Sequence, residues 1–367
     1  MDLEQFHKIL LEIAFPDRVY TRTQFIGAAV RGVFYMVEKD SRPGFAERFI
    51  PSKNDPPNVR KLKIVSIVAA LVFVTAMSIL AVYFIRVAQN RMEIEEQRKR
   101  RAEAEISVIT QATTTDPVTE TEEPVETEPP PLVMRPFFES FIEENPDTAG
   151  WITVPNTNID NVVVQTTDND YYLDKDFHGN KNIAGQIYVD YRCIINDYDK
   201  NQTDNVVVYG HNQADQSMFG TLKKYKIKKD NTKNFDFYLQ NPTFTFSSLY
   251  EEYTYKIIAM FVIEVEPYQT RDGIVFDYHN FVNFTKKRSF DTFSENVMAR
   301  TAVYTGVDFN KNDKFMTLST CSNEFEPSRF VVIGRRVRDG ESPEVDTSLA
   351  ELNMDMLEPD YSFIYSR

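Results

Sequence analysis

The hydropathy pattern divides the chain into an apolar run, a polar spacer and a long patterned region. Residues 64–85 read IVSIVAALVFVTAMSILAVYFI, 22 positions without a charged side chain. At about 1.5 Å of rise per residue this run makes a helix of roughly 33 Å, close to the thickness of a bilayer's hydrocarbon core. A cleavable signal peptide fits poorly, since the run is too long and lies far behind the first residue. We expect one membrane-spanning helix, with its flank, over residues 61–87.

The chain on either side of this run is polar. Residues 1–60 mix charged and apolar positions, and we expect a cytoplasmic extension of one or two short amphipathic helices, to which we assign no chemistry. Residues 88–131 begin with the helix formers NRMEIEEQRKRRAEAEISVI, expected to form a solvated stalk, and end with TQATTTDPVTETEEPVETEPPP. This Thr/Glu/Pro segment lacks aromatic residues and cannot bury enough surface to offset its conformational entropy, so we expect an extended spacer.

The flanking charges do not decide the direction in which the span crosses the membrane. Lysines and arginines stand on both sides, with the larger number after the span, so the positive-inside rule leans toward a cytoplasmic carboxyl-terminal region. The Thr/Glu/Pro segment favours the opposite, because such spacers are typical of stalks outside the cytoplasm. We therefore expect a single-pass protein of the cell membrane whose carboxyl-terminal region is extracellular.

From residue 132 onward the pattern is that of a globular domain rich in β-strands. Short apolar runs and period-two alternation predict strands in GWITVPNTNIDNVVVQ, NVVVYGH, TFTF, EYTYKIIAMFVIEVE, KFMTLSTC and RFVVIGRRV. The first reads as two strands joined at a Pro-Asn turn, TFTF and EYTYKIIAMFVIEVE as a hairpin pair, and the last two as the arms of another hairpin. Helical patterns are confined to PFFESFIEENP, SMFGTLKKY and a stretch around residues 284–298. We expect a mainly β domain over residues 132–340, decorated by a few helices, and a tail at 341–367.

Net charge and cysteine content exclude two classes of protein. The formal net charge of −14 argues against nucleic-acid binding, which needs basic surfaces to neutralise phosphates. Two cysteines, Cys193 and Cys321, do not make the disulfide framework of a small secreted domain. Each thiol therefore has to be considered separately.

Cys321 is the candidate nucleophile. It ends the extended run TLSTC and precedes the polar SNEFEPS, so its sulfur lies where a strand passes into a loop that a substrate can reach. Cys193, in YRCIIND, has no comparable neighbours and is interpreted as a small buried hydrophobe.

A nucleophilic thiol needs a proton carrier and a donor for the developing oxyanion. Of the four histidines, His211 directly follows the buried strand of VVVYGHN, which would hold its ring in place. An unperturbed histidine has a pKa of about 6.5, so this residue type exchanges protons near neutrality. The other three histidines lie before the span or in turn-like contexts. Arg329 begins RFVV, the second arm of the hairpin whose first arm ends at Cys321, so its guanidinium is expected near the thiol.

These residues and motifs together resemble the sortases. TLSTC, an arginine soon after it at the head of RFVV, and a histidine in VYGHN before it fit the family's order and spacing. NPDTAGWITVPNTNIDNVVVQTTDNDYYLDKDFHGN, GQIYVDYR and SMFGTLKKY resemble class B sortases in particular, and the likeness covers nearly all of residues 134–338. The chain departs from typical members in the long segment that precedes its span.

The resemblance implies an eight-stranded β-barrel with flanking helices, an α+β arrangement preceded by one transmembrane helix. It implies Cys321 as nucleophile, His211 as general acid and base, and Arg329 as substrate clamp and oxyanion stabiliser. The residues expected to line the substrate groove are Tyr209, Ser319, Asn212 and Thr320. The resemblance calls for no metal and no cofactor.

The function implied is that of a membrane-anchored cysteine transpeptidase of Gram-positive cell walls. It would cleave a secreted protein after the threonine of a sorting motif resembling NPxTN, NPxTG or SPxTG, and join the new carboxyl end to an amine of a peptidoglycan precursor. Two alternatives stay open on sequence grounds. A cysteine peptidase or amidase uses the same Cys-His pair but passes the acyl group to water. A non-catalytic surface-binding module on a stalk does not need these residues to meet.

Overall fold

The computed structural model describes residues 49–114, 133–196, 202–285 and 287–366. The chain divides into two compact units, Met1–Phe84 and Ile85–Arg367. A long helix, α1 (Pro57–Thr114), starts at a proline, whose fixed φ suits the first turn of a helix. Within the described ranges it is the one helix long and apolar enough to cross a membrane, judged by length and composition, and its most apolar stretch is not buried. This helix suggests membrane anchoring.

The second unit is built on a closed barrel of eight strands, which confirms the predicted fold. The strands in chain order are β1 (Thr148–Thr153), β2 (Asp160–Val164), β3 (Tyr188–Val189), β4 (Asn205–Tyr209), β5 (Thr243–Ser248), β6 (Glu252–Glu264), β7 (Val303–Tyr304), β8 (Phe315–Cys321), β9 (Ser328–Arg336) and β10 (Glu351–Leu352). Around the barrel the order is β1-β2-β3-β4-β8-β9-β6-β5, while β7 and β10 form a separate two-stranded sheet. Closure pairs the strands on both sides and so leaves the barrel no open edge.

The strand pairings predicted from local pattern are confirmed. β1 pairs with β2, β5 with β6, and β8 with β9, all antiparallel. The contact between β4 and β8 is parallel and joins strands far apart in the chain. A parallel pair cannot be connected by a tight turn, so a long crossover has to separate its members. This crossover is why local pattern could not assign the neighbour of β4.

Among the described residues, the helices that decorate the barrel are α2 (Phe137–Glu144), α3 (Phe235–Gln240), α4 (Lys287–Arg300) and α5 (Tyr361–Ile364). The first and third lie where PFFESFIEENP and the stretch around residues 284–298 predicted helices. The helix expected in SMFGTLKKY is instead only a 3-10 turn, Leu222–Tyr225. Met218 has a positive φ of 48°, a left-handed conformation that a right-handed helix cannot include.

Side-chain alternation sorts the strand residues into one inner and two outer clusters. The inner cluster takes residues from every barrel strand, for example Val208 of β4, Leu318 of β8 and Val332 of β9. Outside the barrel, aromatic side chains of α2 pack on β1, β2 and β3. A second outer cluster, with Phe293 of α4, covers β6, β8 and β9. The stretch of outer wall between these two clusters is formed by the ends of β4 and β8.

The carboxyl-terminal half of α1 packs against the barrel, although the sequence predicted a solvated stalk there. Ile94 is buried in the inner cluster. One helical turn further on, Arg98 donates through Nε to the carbonyl oxygen of Asp160 at 2.8 Å. The Arg101 guanidinium lies 5.1 Å from the centre of the Trp151 ring. These side chains share one helix face, and their long apolar stems cover barrel surface while the charged ends reach polar groups. Charge along the sequence alone did not reveal that buried face.

The described residues on either side of the Thr/Glu/Pro segment lie against each other. On its amino-terminal side, Glu105 of α1 lies 3.9 Å from Arg135, which precedes α2. Arg100 of α1 also stacks on the Phe141 ring of α2, 4.7 Å from its centre. The last residues of the chain pack on the barrel too, with Met356 buried in the inner cluster.

Candidate active site

Three adjacent strands bring Cys321, His211 and Arg329 to the same end of the barrel. β8 ends at Cys321 and lies between β4 and β9. In the antiparallel pair, Cys321 stands directly opposite Arg329. In the parallel pair, Tyr209 stands opposite Ser319, so His211 and Cys321 each lie two residues beyond a matched position. Neighbouring strands are about 4.8 Å apart, and the three residues therefore form a row across the barrel wall.

All three residues belong to the outer face of that wall. Val208, Leu318 and Phe330 point into the barrel as members of the inner cluster. Because successive side chains of a strand point to opposite faces, Ser319, Cys321 and Arg329 point outward. Cys321 and Arg329 are both half-exposed. The outer wall therefore presents a thiol and a guanidinium side by side, open to a ligand that lies across the strand ends.

The His211 ring is held by backbone that sequence reasoning did not identify. Its Nε2 lies 2.8 Å from the carbonyl oxygen of Leu173. A carbonyl oxygen only accepts, so this hydrogen bond requires the proton on Nε2 and leaves Nδ1 as the basic nitrogen. Gly185 makes room for the ring, since a Cβ there would come within 2.8 Å of the His211 Cδ2 atom. Leu173 and Gly185 come from the loop between β2 and β3, and no local motif marked them.

Asn212, predicted to line the groove, ties the loop after β4 to the end of β8. Its Nδ2 donates to the carbonyl oxygen of Cys321 at 3.0 Å. The residue is also bridged to Met218, which fixes the far side of the same loop. This pair of contacts couples the position of the histidine strand to that of the cysteine strand.

Two tyrosines and a serine form the floor beside the thiol. The hydroxyl of Tyr278 lies 2.6 Å from Oγ of Ser319, and both residues are buried. Tyr209, half-buried on the neighbouring strand, donates to Oδ2 of Asp190 at 3.0 Å. Tyr209 packs on the outer cluster under α2, whereas Tyr278 belongs to the cluster under α4. The floor therefore joins the two outer clusters beneath the row of candidate residues. Tyr278 follows no recognisable pattern in the sequence, and only its tertiary contact identifies it.

Arg329 and Cys321 also influence the pKa values of two nearby tyrosines. Burial raises the pKa of the Tyr278 hydroxyl above its usual value, the Ser319 hydrogen bond and the Arg329 charge oppose the rise, and Cys321 adds to it. Burial likewise raises the pKa of Tyr188, again with Arg329 opposing. Arg329 and Cys321 thus act on the same two phenols in opposite directions.

A buried carboxylate supports Tyr209. Asp190 is fully buried and accepts hydrogen bonds from Nε and Nη2 of Arg192 at 2.9 and 2.8 Å. Burial by itself would raise the pKa of Asp190, but the hydrogen bonds from Arg192 outweigh it and hold the pKa below its usual value. The carboxylate is therefore charged at neutral pH and fixes the Tyr209 hydroxyl as a donor toward it.

Thr320, the last of the expected groove residues, points away from the thiol. It is buried and alternates with Cys321, so its side chain lies on the inner face of β8. Its hydroxyl has no hydrogen-bond partner within the described residues. Of the residues singled out from sequence, the structure thus brings Cys321, His211, Arg329, Tyr209 and Ser319 to one wall, with Asn212 linking two of its strands.

The other candidate groups lie outside the row of Cys321, His211 and Arg329. Cys193 is buried near the start of β4. Nε2 of His178 lies 3.4 Å from Oε1 of Glu93 in α1. His279 directly follows Tyr278, and burial lowers its pKa. His7 lies outside the described residues. Across the described ranges there is no group of three or more His, Cys, Asp or Glu side chains placed to hold a metal ion.

Comparison with known proteins gives one consistent result. The sequence model of the sortase domain family matches residues 152–337. Sortase B of Listeria monocytogenes is 33% identical over 195 residues, which cover 53% of this chain and 71% of that protein. Sortase B of Staphylococcus aureus is 27% identical over 207 residues, covering 56% and 76%. A solved Bacillus anthracis structure, described as similar to sortase B, matches with a TM-score of 0.51 at 25% identity, over 68% of this chain and 96% of that one.

Proposed function

This chain belongs to the sortase family, in its class B, and we propose that it is a membrane-anchored cysteine transpeptidase that attaches secreted proteins to the cell wall. The observation that carries the proposal is the row of Cys321, His211 and Arg329 across three hydrogen-bonded strands. A thiol, a proton carrier and a rigid cationic donor are the groups that acyl transfer needs. Their placement on the outer wall leaves space for an extended peptide to lie over them.

The first half of the reaction cleaves the sorting motif. The Cys321 thiol gives its proton to Nδ1 of His211, and the thiolate attacks the carbonyl carbon that follows the motif's threonine. Arg329 donates to the oxygen as negative charge develops on it. When the tetrahedral intermediate collapses, the C–N bond breaks and His211 returns the proton to the leaving amine. The threonine carbonyl remains attached to sulfur as a thioester.

The second half transfers the acyl group. An amine of a peptidoglycan precursor attacks the thioester carbon and loses its proton to His211. Arg329 again stabilises the oxyanion. The C–S bond then breaks, and Cys321 leaves as the thiolate. One thiol and one proton carrier suffice because both halves attack the same carbonyl group. The proposed substrates carry motifs resembling NPxTN, NPxTG or SPxTG.

The proposed orientation follows from this substrate pair. Secreted proteins and the wall acceptor meet outside the cytoplasm, so the barrel is proposed to be extracellular and α1 to provide a single membrane pass. Protease added to intact protoplasts should then remove the barrel. Protection of the barrel from protease would contradict both the orientation and the role in the wall.

Mass spectrometry of the full chain in uncharged detergent tests the reaction itself. The protein is mixed with peptides carrying each motif, first alone and then with an excess of triglycine or of a stem peptide with a free side-chain amine. We expect an acyl adduct on Cys321 and a transfer product with one of the amines. Release of free acid alone in the presence of excess amine would favour the peptidase alternative. Failure of every peptide to form an adduct would contradict catalysis on these motifs.

A further inference from the structure

A lysine-rich segment lies just beyond the candidate active site. Residues 222–233 read LKKYKIKKDNTK, with six lysines and one aspartate in a chain whose formal net charge is −14. Such a concentration of positive charge in an acidic protein produces a local electrostatic field of the opposite sign to the rest of the molecule. The segment has no part in the chemistry described above.

Buried neighbours fix the direction of these lysines. Leu222, Tyr225 and Ile227 belong to the inner cluster, so Lys223 and Lys224 are turned toward solvent, while Lys226 stays half-buried. Asn234 closes the segment, because its Nδ2 donates to the carbonyl oxygen of Lys223 at 3.1 Å and to that of Lys226 at 2.8 Å. The backbone that carries the lysines is therefore held in place before any ligand arrives.

The lysines surround a cavity of about 390 Å³, named here the lysine pocket. Its lining residues are Lys223, Lys224, Lys226, Lys228, Lys233, Asn231, Asn234 and Glu324. Among the described residues, Lys226 is the only one of these lysines with a carboxylate partner, Glu324 at 2.9 Å. Lys224 donates instead to the carbonyl oxygen of Asn156. Five cations thus share one carboxylate around a single space.

These charges are close enough to disfavour one another. Burial lowers the pKa of Lys226, the bond to Glu324 opposes that change, and the charges of Lys228 and Lys223 lower the pKa further. Repulsion between like charges is relieved when an anion binds among them. A multiply charged anion gains most, because each of its charges interacts with several ammonium groups.

The pocket adjoins the residue that follows the nucleophile. Lys226 donates through Nζ to the carbonyl oxygen of Ser322 at 2.7 Å. Ser322 begins the loop from β8 to β9, directly after Cys321. A ligand in the pocket would therefore be held beside the loop that links the thiol strand to the Arg329 strand.

The chemistry of the lining indicates the kind of anion. The pocket presents lysines and no arginine. Arginine forks suit planar carboxylates, whereas several compact ammonium groups suit the distributed charge of phosphates. Resting on the proposed function, we propose that the lysine pocket binds phosphate groups of the acceptor side of the reaction and so positions the amine donor at the thioester. Two sources carry such groups: the diphosphate of a lipid-linked wall precursor and the phosphodiesters of an anionic wall polymer.

Calorimetric titration of the full chain in uncharged detergent tests the site without any catalysis. Inorganic pyrophosphate is the probe, and the variant is the triple substitution Lys223→Gln, Lys228→Gln and Lys233→Gln. Lys226 is kept because it holds Glu324 and Ser322. The matched control removes three exposed lysines elsewhere, by Lys99→Gln, Lys181→Gln and Lys311→Gln.

We expect the native chain and the control to bind pyrophosphate with the same affinity. The pocket variant should bind it at least about tenfold more weakly. Added salt should weaken native binding more steeply than binding to the pocket variant, since fewer charges then contribute. Equal affinity of the pocket variant and the native chain would overturn the proposal, as would no binding to the native chain.

Acyl transfer then distinguishes the two sources. For a lipid-linked amine with a diphosphate, the pocket variant should show a raised KM, while KM for the same peptide amine without phosphate stays unchanged. If a soluble poly(glycerol phosphate) instead inhibits the native chain and not the variant, the polymer is the ligand. No change in either experiment would overturn the role in acceptor binding. Adduct formation on Cys321 by a sorting peptide, measured in the same samples, reports separately on the proposed cleavage.

Discussion

Strand β4 has a cysteine beside each of its ends, and the two thiols occupy opposite environments. Near its start, Cys193 is buried and accepts a hydrogen bond from the backbone nitrogen of Val207 at 3.4 Å. Burial raises the pKa of the Cys193 thiol to about 12. Near its other end, Cys321 is half-exposed, with Arg329 paired directly opposite on β9. Cys321 ends strand β8, whereas Cys193 follows a turn in the irregular chain between β3 and β4, so the difference that the sequence indicates has a structural basis.

The difference lies in how far each sulfur is removed from water and in which charged groups stand beside it. A thiolate is the reactive form, and a site that excludes water keeps the sulfur protonated. At Cys193 burial raises the pKa of the thiol, the charge of Arg192 does not offset that rise, and the residue serves as packing for the barrel. Cys321 is half-exposed and lies in a row with a guanidinium and an imidazole on the neighbouring strands. Four substitutions test this contrast, from the largest expected effect to the smallest.

Replacing Cys321 by Ala should abolish both cleavage and transfer, because no other described residue in the row offers a nucleophile. Cys193→Ala should keep the turnover of the native chain, at a cost of about 1 kcal/mol in the free energy of unfolding for the lost packing. Cleavage of a sorting peptide and thermal unfolding measure the two effects. Loss of turnover in the Cys193 variant, with Cys321 intact and the protein folded, would reverse the assignment. Iodoacetamide should also label Cys321 well before Cys193 in the native chain.

His211→Ala should lower turnover by about 10²- to 10⁴-fold, the usual contribution of general acid and base catalysis. His178→Ala is the matched control, since that ring is also accessible but lies at α1. Steady-state kcat/KM at neutral pH measures both. A His211 variant that retains most of the native kcat/KM would show that the proton comes from another group.

Arg329→Lys should lower turnover by at least about two orders of magnitude while the protein stays folded. The planar fork can donate to the substrate backbone and to the oxyanion at once, which an ammonium cannot reproduce, and one oxyanion donor is typically worth about 10²- to 10³-fold. Arg336→Lys is the control on the same strand, because its guanidinium lies over the Tyr253 ring far along β9. Near-native turnover of the lysine variant at position 329 would reduce this arginine to a generic positive charge.

Asp190→Asn should have the smallest effect on turnover, less than about tenfold, and a clearer effect on the pH dependence of stability. The folded pKa of Asp190 is lowered, so its stabilising contribution is present above the unfolded pKa near 4 and is lost as the pH falls through the folded value. The Asn variant should therefore lose a few degrees of Tm at neutral pH and approach the native Tm in acid. A constant difference in Tm from pH 7 to pH 3 would contradict the ionised state of Asp190.

The sequence predicted those parts of the site that sit on regular strands. The hairpin of β8 and β9 has an unbroken apolar pattern, and so the pairing of the Cys321 strand with the Arg329 strand could be inferred locally. Leu173, Gly185 and Tyr278 were missed because each comes from an irregular connection and meets the site only through tertiary contact. Their roles depend on distances that no periodicity encodes.

The same limit explains the expectations about helices that failed. The buried face of α1 consists largely of polar and charged residues, and burial of arginine stems is visible only once Asp160 and Trp151 lie against them. In SMFGTLKKY the residue types favour a helix, but the left-handed backbone at Met218 redirects the chain. Propensity was outweighed there by the tertiary arrangement that also links Asn212 to Met218.

The contact between Glu105 of α1 and Arg135 also bears on how the chain tolerates insertions. The two residues are far apart in the sequence, yet their side chains meet within the second unit. Because the entropy of bringing two chain positions together depends only on the logarithm of their separation, doubling that separation would cost only about 0.6 kcal/mol. We therefore expect insertions between these two residues to leave the packing of α1 on the barrel unchanged.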